Sequence, residues 1–346
     1  MVDNLFIVES PLQALVAVEL SLQFVGQNNG IICRLSGRGR ERNDAQILQV
    51  IELGNWSFQE SVRFTGESPL VRHINCRRYI IQLRKRFRHR IRHLFFGEFR
   101  SQWMHLARFA VAPQKFVLMD DGAATLTAKH SFIDHGIYYP ADLWRRATLL
   151  KKAVKEVIFF GLLDKVQAQK TVSFASAFFS DESEFEIDFS AVRKKFAPLP
   201  DSRAELHTKA YFFGSKYSEA GILSLTYELD LISKVLNYYQ TKGLTVVYCA
   251  HRDESEEKLS LIQNVSGLEV VRPALPAELF LLERDAEVAE IGAFYSSVIN
   301  NLSLIFPEKL ITSFRLDPNA INPNNRKAVE LIYSHFEKKG VPVQSL

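Results

Sequence analysis

An apolar run, Asn4-Leu5-Phe6-Ile7-Val8, reaches Ser10-Pro11-Leu12-Gln13 and gives way at once to Ala14-Leu15-Val16-Ala17-Val18-Glu19-Leu20. The β-branched and aromatic residues predict a strand. Ser10 suits a helix cap, Pro11 fits the first helical position, where no amide hydrogen is needed, and the apolar residues beyond recur at helical spacing. A strand that runs straight into a capped helix is the opening unit of a parallel α/β sheet. It points backbone N–H groups into the crevice at the carboxyl ends of the strands.

The same rhythm returns in the second half. Strands are expected at 210–213, 244–249 and 268–271, in the run before Ser296, and at 309–314, with a helix near 219–240. Strands alternating with helices argue for a parallel sheet covered on both faces. Between the halves, Phe196-Ala197-Pro198-Leu199-Pro200-Asp201-Ser202 holds two prolines and then a polar stretch, which breaks regular structure. A chain of 346 residues exceeds what one core usually supports. We therefore expect two domains, residues 1–200 and 201–346.

Hydrophobic residues make up 47% of the chain and charged ones 24%, a globular balance that excludes a disordered or fibrous class. No apolar stretch reaches the length needed to span a bilayer, and the start lacks a basic segment followed by an apolar signal core. The expected location is the cytoplasm. Cys33, Cys76 and Cys249 are few and far apart, which suits reduced core thiols better than a bridge or a zinc site.

The net charge of +4 conceals an asymmetry. Between Arg72 and Arg100 stand ten Lys/Arg, among them Arg84, Lys85, Arg86, Arg88, Arg90 and Arg92, against one acid, Glu98. Tyr79, Ile80, Leu83, Phe87, Ile91, Leu94 and Phe95 recur every three or four residues, so the segment reads as a helix with a buried stripe and a basic outer face. That face is a solvated surface, or it attracts an anionic glycan or the acidic inner membrane surface. Nucleic acid is disfavoured, because the aromatic residues fall on the buried stripe and no recognition motif accompanies the charges. A second basic amphipathic stretch, Leu143 to Phe160, fits either peripheral membrane contact or an ordinary packed helix.

Three further words stand at strand ends. Asp120-Asp121-Gly122 follows Lys115-Phe116-Val117-Leu118-Met119, His251-Arg252-Asp253-Glu254 follows Leu244-Thr245-Val246-Val247-Tyr248-Cys249, and Ser296-Ser297 follows Val288 to Phe294. Together with Ser10-Pro11-Leu12-Gln13 and in this order, they resemble the bacterial sialyltransferases and polysialyltransferases of the GT-B type. That family carries an S/T-P-L-Q turn, an acidic pair before Gly, a His-Pro word and a Ser-Ser word. The resemblance implies two Rossmann-like domains facing an interdomain cleft. It also implies an inverting transfer of a nonulosonic acid of the sialic acid type from a CMP-sugar to a capsular or lipooligosaccharide acceptor. The CMP-sugar would be a co-substrate, with no further cofactor.

By the same resemblance, Asp120 is the general base and His251 meets the phosphate of the leaving cytidine monophosphate. A base of this kind needs a carboxylate at a strand end with a raised pKa, which neighbouring Asp121 would help to raise; Gly122 makes the tight turn. Asp-Gly is also among the commonest turn dipeptides. Adjacent side chains of an extended chain point to opposite faces, so Asp120 and Asp121 do not readily chelate one ion, and no metal is expected. Ser296 and Ser297 would bind the donor's phosphate or carboxylate, Glu278 its ribose, and Gly214 and Ser215 its nucleotide. Ser10, Pro11, Gln13, Asp121 and Gly122 would line the substrate cleft. Here the His-Pro word is His251-Arg252, which puts the following helix start in question while offering a cation to the anionic donor.

The words also admit rivals. His251-Arg252-Asp253 spells the start of a kinase catalytic loop, but Lys258 stands where that loop needs Asn. Gly37-Arg38-Gly39 lacks the third glycine of a dinucleotide fingerprint. A different donor remains open: CMP-pseudaminic or CMP-legionaminic acid, CMP-Kdo or a UDP-sugar. So does a non-catalytic polyanion-binding protein.

Overall fold

The computed structural model describes residues 2–37, 39–138, 171–196, 208–265 and 268–346. The chain divides into two compact units, Met1–Ile187 and Asp188–Leu346. The helix Ser190–Phe196 thus belongs to the second. The prolines at 198 and 200 and the basic stretch from Leu143 to Phe160 lie outside the described residues.

The first unit is built on β1 (Asn4–Val8), β2 (Asn29–Arg34), β3 (Phe58–Val62), β4 (His93–Phe96), β5 (Lys115–Met119) and β6 (Ser173–Ala175). They form one sheet in the order β3-β2-β1-β4-β5-β6, with every pairing parallel. All five residues of β1 are buried, as the continuous apolar run requires of a strand covered on both faces. Phe6 stacks on Phe95 of β4 at 4.5 Å, and Phe96 on Phe116 of β5 at 4.0 Å. Burial of each such ring contributes about 2 kcal/mol.

The second unit repeats the plan with β7 (Lys209–Phe213), β8 (Thr245–Cys249), β9 (Leu268–Val271), β10 (Val288–Ala293), β11 (Leu310–Phe314) and β12 (Val343–Gln344). Their order is β12-β11-β10-β7-β8-β9, again parallel throughout. In each sheet the chain leaves the first strand in one direction and later returns to its other side. The switch points fall between β1 and β4 and between β7 and β10, where doubly wound sheets open a crevice at their carboxyl ends.

The expected basic helix is shorter than its periodicity suggested. It spans Pro69–Phe87, buries Cys76, Tyr79, Ile80, Leu83 and Phe87, and stops where the chain takes φ +56° at His89. Ile91, Leu94 and Phe95 do not continue the stripe. His93–Phe96 is the central strand β4, because four consecutive apolar or aromatic side chains fill both faces of the sheet beside β1. In the second unit the helix expected near 219–240 begins only at Leu225, capped by Ser224, and runs to Gln240. Among the described residues no helix is long and apolar enough to cross a membrane.

Candidate active site

In the first unit the sequence words meet at the β1–β4 switch point. Ser10 caps the helix Pro11–Gln23: its Oγ accepts the Gln13 amide hydrogen at 3.2 Å, and its hydroxyl donates to Asp121 Oδ1 at 3.0 Å. Gln13 is buried and its Oε1 accepts from the Glu9 amide at 2.7 Å. It also hydrogen-bonds the Asp121 carboxyl. A Cβ at residue 97 would lie 2.2 Å from the Gln13 side chain, so the end of β4 needs Gly97 for this approach.

The two acids of the pair turn opposite ways, as alternation along an extended chain demands. Asp120 is 1% exposed, and its oxygens accept from Ser176 Oγ at 2.5 Å and the Ala177 amide at 2.6 Å, just past β6. Burial pushes its carboxyl up to about 7 against these donors. Asp121 is half-buried and sits with Ser10 and Gln13. Burial, then the charge of Glu98, push it up to about 7 as well.

Glu98 follows β4, and its carboxyl lies within hydrogen-bond reach of the Asp121 side chain. Arg100 clamps it through Nε at 3.0 Å, Nη2 at 2.8 Å and its own amide at 2.8 Å. Burial raises the Glu98 carboxyl, but the Arg100 hydrogen bonds and charge outweigh that and leave it below its ordinary value. Beside these groups opens a cavity of about 650 Å³ whose lining includes Glu9, Arg34, Arg72, Glu98, Arg100 and Trp103. Glu9 in turn accepts from Arg34 at 2.9 Å, from Ser101 at 3.1 Å and from the Trp103 indole.

In the second unit the words cluster beyond β7, β8 and β10. His251 is half-buried, and its Nδ1 accepts the Asp253 amide hydrogen at 3.1 Å, which puts the proton of a neutral ring on Nε2. The helix after it does not start at residue 252. Ser255 caps it, and it spans Glu256–Gln263, while residues 251–254 form a turn closed by the Glu254 amide on the His251 carbonyl at 3.1 Å. Without proline at 252 the helix starts later, and the Glu254 carboxylate takes the His251 amide. Ser296 caps the helix Ser297–Ile305, its Oγ accepting from the Val298 amide at 3.4 Å, and both serines are half-buried.

A family model, described as alpha-2,8-polysialyltransferase (POLYST), matches residues 4–315. The chain belongs to the alpha-2,8-polysialyltransferase family. A comparison with curated proteins finds no match. Among solved structures the chain is similar to an alpha/beta-galactoside alpha-2,3-sialyltransferase from the luminous marine bacterium Photobacterium phosphoreum, with 13% identity over 99% of this chain and 98% of that one and a TM-score of 0.52. A putative UDP-N-acetylglucosamine 2-epimerase from Listeria monocytogenes gives 10% identity, 99% and 91% coverage and a TM-score of 0.53. At these identities the likeness is one of fold, and that fold is GT-B, with two Rossmann-like domains.

For this sialyltransferase-family glycosyltransferase, a nucleotide-sugar donor and a glycan acceptor follow from the family. The words singled out in the sequence are not all equally placed. Asp120 holds the turn after β6, whereas Asp121 is the member of the pair that faces Ser10 and the residues beside the cavity. Glu278 is 5% exposed, accepts from Asn301 Nδ2 at 2.8 Å and is raised by burial. It ties its own short helix to the one that Ser296 caps. Gly214 is dictated by packing, since a Cβ there would lie 2.0 Å from the Tyr248 hydroxyl. The Ser215 carbonyl accepts from Lys258 Nζ at 2.7 Å.

Sequence reasoning missed Glu9, Glu98, Arg100 and Lys258. Glu9 directly precedes Ser10, and Glu98 follows Leu94-Phe95-Phe96-Gly97; a strand recognised there would have put Glu98 at a carboxyl end. Lys258 is buried against Glu228, Glu254 at 2.8 Å and Glu219 at 3.3 Å. Its neighbours in sequence, Glu256 and Glu257, gave no sign of that.

Proposed function

We propose that this enzyme transfers a nonulosonic acid from a CMP-activated donor to a hydroxyl of a cell-surface glycan with inversion and without a resident metal. The acceptor hydroxyl gives its proton to an acid of the 120–121 pair as its oxygen bonds the anomeric carbon. The bond from that carbon to the phosphate oxygen of CMP breaks, and its electron pair leaves with CMP. His251 stands to that phosphate as a hydrogen-bond donor through Nε2, with Ser296, Ser297 and the N-terminus of the helix Ser297–Ile305 offering further donors to the anion. Arg252 adds a positive charge nearby.

The observation that carries the reading is the Asp121 carboxyl at the end of β5. It is half-buried, oriented by Ser10 and Gln13, and raised to about 7, where a carboxylate accepts a proton effectively near neutrality. We therefore move the base from Asp120, whose oxygens are taken by Ser176 and Ala177, to Asp121. Those separate sets of partners also favour chemistry without a shared metal.

The test is turnover of a panel of donors with an acidic glycan acceptor: CMP-sialic, CMP-pseudaminic and CMP-legionaminic acids, CMP-Kdo and UDP-sugars. CMP-nonulosonate turnover that persists in chelator, is lost in Asp121→Asn and survives in part in Asp120→Asn is expected. Exclusive use of a UDP-sugar would overturn the donor. Loss of activity in Asp120→Asn alone would return the base to residue 120.

A further inference from the structure

Two carboxyl groups joined by a hydrogen bond hold one proton between them, and their titration belongs to the pair. Asp121 and Glu98, at the ends of β5 and β4, are placed to form such a pair. Their surroundings are unequal. Glu98 is gripped by the guanidinium and the amide of Arg100, whereas Asp121 receives the neutral Ser10 hydroxyl and the Gln13 amide. Other charged or titratable groups around the pair are Glu9 after β1, Arg34 at the end of β2 and Arg72 and His73 on the helix Pro69–Phe87, all lining the cavity, with Asp120 turned away. Once the pair has taken up one proton, the negative charge therefore rests on Glu98 and the proton on Asp121.

We propose that Glu98, clamped by Arg100, is a positioning residue for the base, accepting a hydrogen bond from Asp121 once Asp121 has taken the proton of the acceptor hydroxyl. This rests on Asp121 as base. Before transfer, two facing carboxylates repel, which makes Asp121 a stronger proton acceptor than an isolated aspartate. As the proton arrives, the repulsion becomes a charge-assisted hydrogen bond, an interaction made during the reaction and absent before it. Arg100 keeps the proton from settling on Glu98. Both residues also line the cavity, so the pair adjoins a space through which an acceptor can reach it.

The experiment is the pH dependence of kcat/KM for the full-length enzyme and its Glu98→Gln and Arg100→Gln variants, with CMP affinity as a check on the second domain. Removing the Glu98 charge moves the acid limb down by about one pH unit and lowers the plateau of kcat about tenfold. Removing Arg100 moves the limb up, because a cation that favours the ionised pair is gone. A residue that only supports the fold would lower activity without moving the limb in opposite directions. Carboxyl-labelled aspartate NMR reads the Asp121 titration without turnover, and Glu98→Ala supplies a second charge-free variant if Gln does not fold. An unmoved Asp121 titration in the Glu98 variants overturns the proposal. Should Asp121→Asn keep wild-type turnover, the base assignment fails first, whatever Glu98 does.

Discussion

Ser10 and Asp121, 111 positions apart in the chain, share a 3.0 Å hydrogen bond that joins the cap of the first helix to the acidic turn after β5. The same Oγ accepts the Gln13 amide hydrogen, so one hydroxyl serves the backbone and the carboxylate together. Ser10→Ala is expected to cost about 1 kcal/mol through the lost cap. It also removes a donor that favours ionised Asp121, so the acid limb of kcat/KM shifts to higher pH. Thermal melts and pH–rate profiles read the two effects separately.

Asp120 makes stability depend on pH. Its folded pKa of about 7 lies above the ordinary 3.8, so burial favours the protonated form. The stabilisation is complete below the unfolded pKa and is lost as pH rises towards the folded one. The loss between pH 4 and 7 is on the order of 4 kcal/mol. Asn resembles protonated Asp and does not titrate. Melts of wild type and Asp120→Asn from pH 4 to 8 should therefore agree closely at the acid end and diverge upward in favour of the variant; a constant difference across the range would contradict the assignment.

What the chain disclosed by itself follows from how local each signal is. Ser10-Pro11, Asp120-Asp121, His251 and Ser296 sit at junctions whose strand and cap are written in adjacent residues, and each lies at a carboxyl end as expected. Strand β4 was hidden because its four residues adjoin a basic helix whose apolar spacing runs into them. Glu98 and Arg100 were lost with it. Which acid of the pair turns inward depends on Ser176, 56 residues away, and no local pattern carries that. Lys258 is likewise explained by Glu228, 30 residues earlier in the chain.

Lys258 has 2% side-chain exposure, beside Glu228 and Glu254 at 1% and 0%. Burial would lower its pKa, but the charges of Glu254 and Glu228 outweigh that and raise it. Lys258→Met strands two buried carboxylates and should cost about 3–5 kcal/mol. Urea unfolding of the full chain measures it. Glu254 also holds the Tyr248 hydroxyl at 2.7 Å and the His251 amide, so CMP affinity should fall along with stability.

Gly214→Ala tests the same turn from its other side. The new methyl would meet Tyr248 Oη at 2.0 Å and Glu254 Oε2 at 2.9 Å. Relief requires moving the pair that supports the His251 turn. The expected result is a drop in kcat of tenfold or more with a smaller change in stability than Lys258→Met, since no charge is left unpaired. Unchanged kcat would show that the position of His251 is independent of this packing.

The basic face of the helix Pro69–Phe87 and the turn after it separates into two kinds of cation. Arg84, Lys85, Arg88, Arg90 and Arg92 are exposed. Arg86 instead pairs with Glu60 at 2.7 Å and lies over the Phe58 ring at 4.6 Å, so its charge is already matched. If the face recruits an anionic acceptor, reversing Arg84, Lys85 and Arg88 to Glu should raise the acceptor KM several-fold at low ionic strength and leave kcat nearly unchanged. The difference should shrink as salt screens the surface charge. Arg86→Gln should barely change KM and should lower the melting temperature slightly through lost packing on Phe58. Equal acceptor KM for the charge-reversed and wild-type enzymes in dilute buffer would mark the face as ordinary solvated surface.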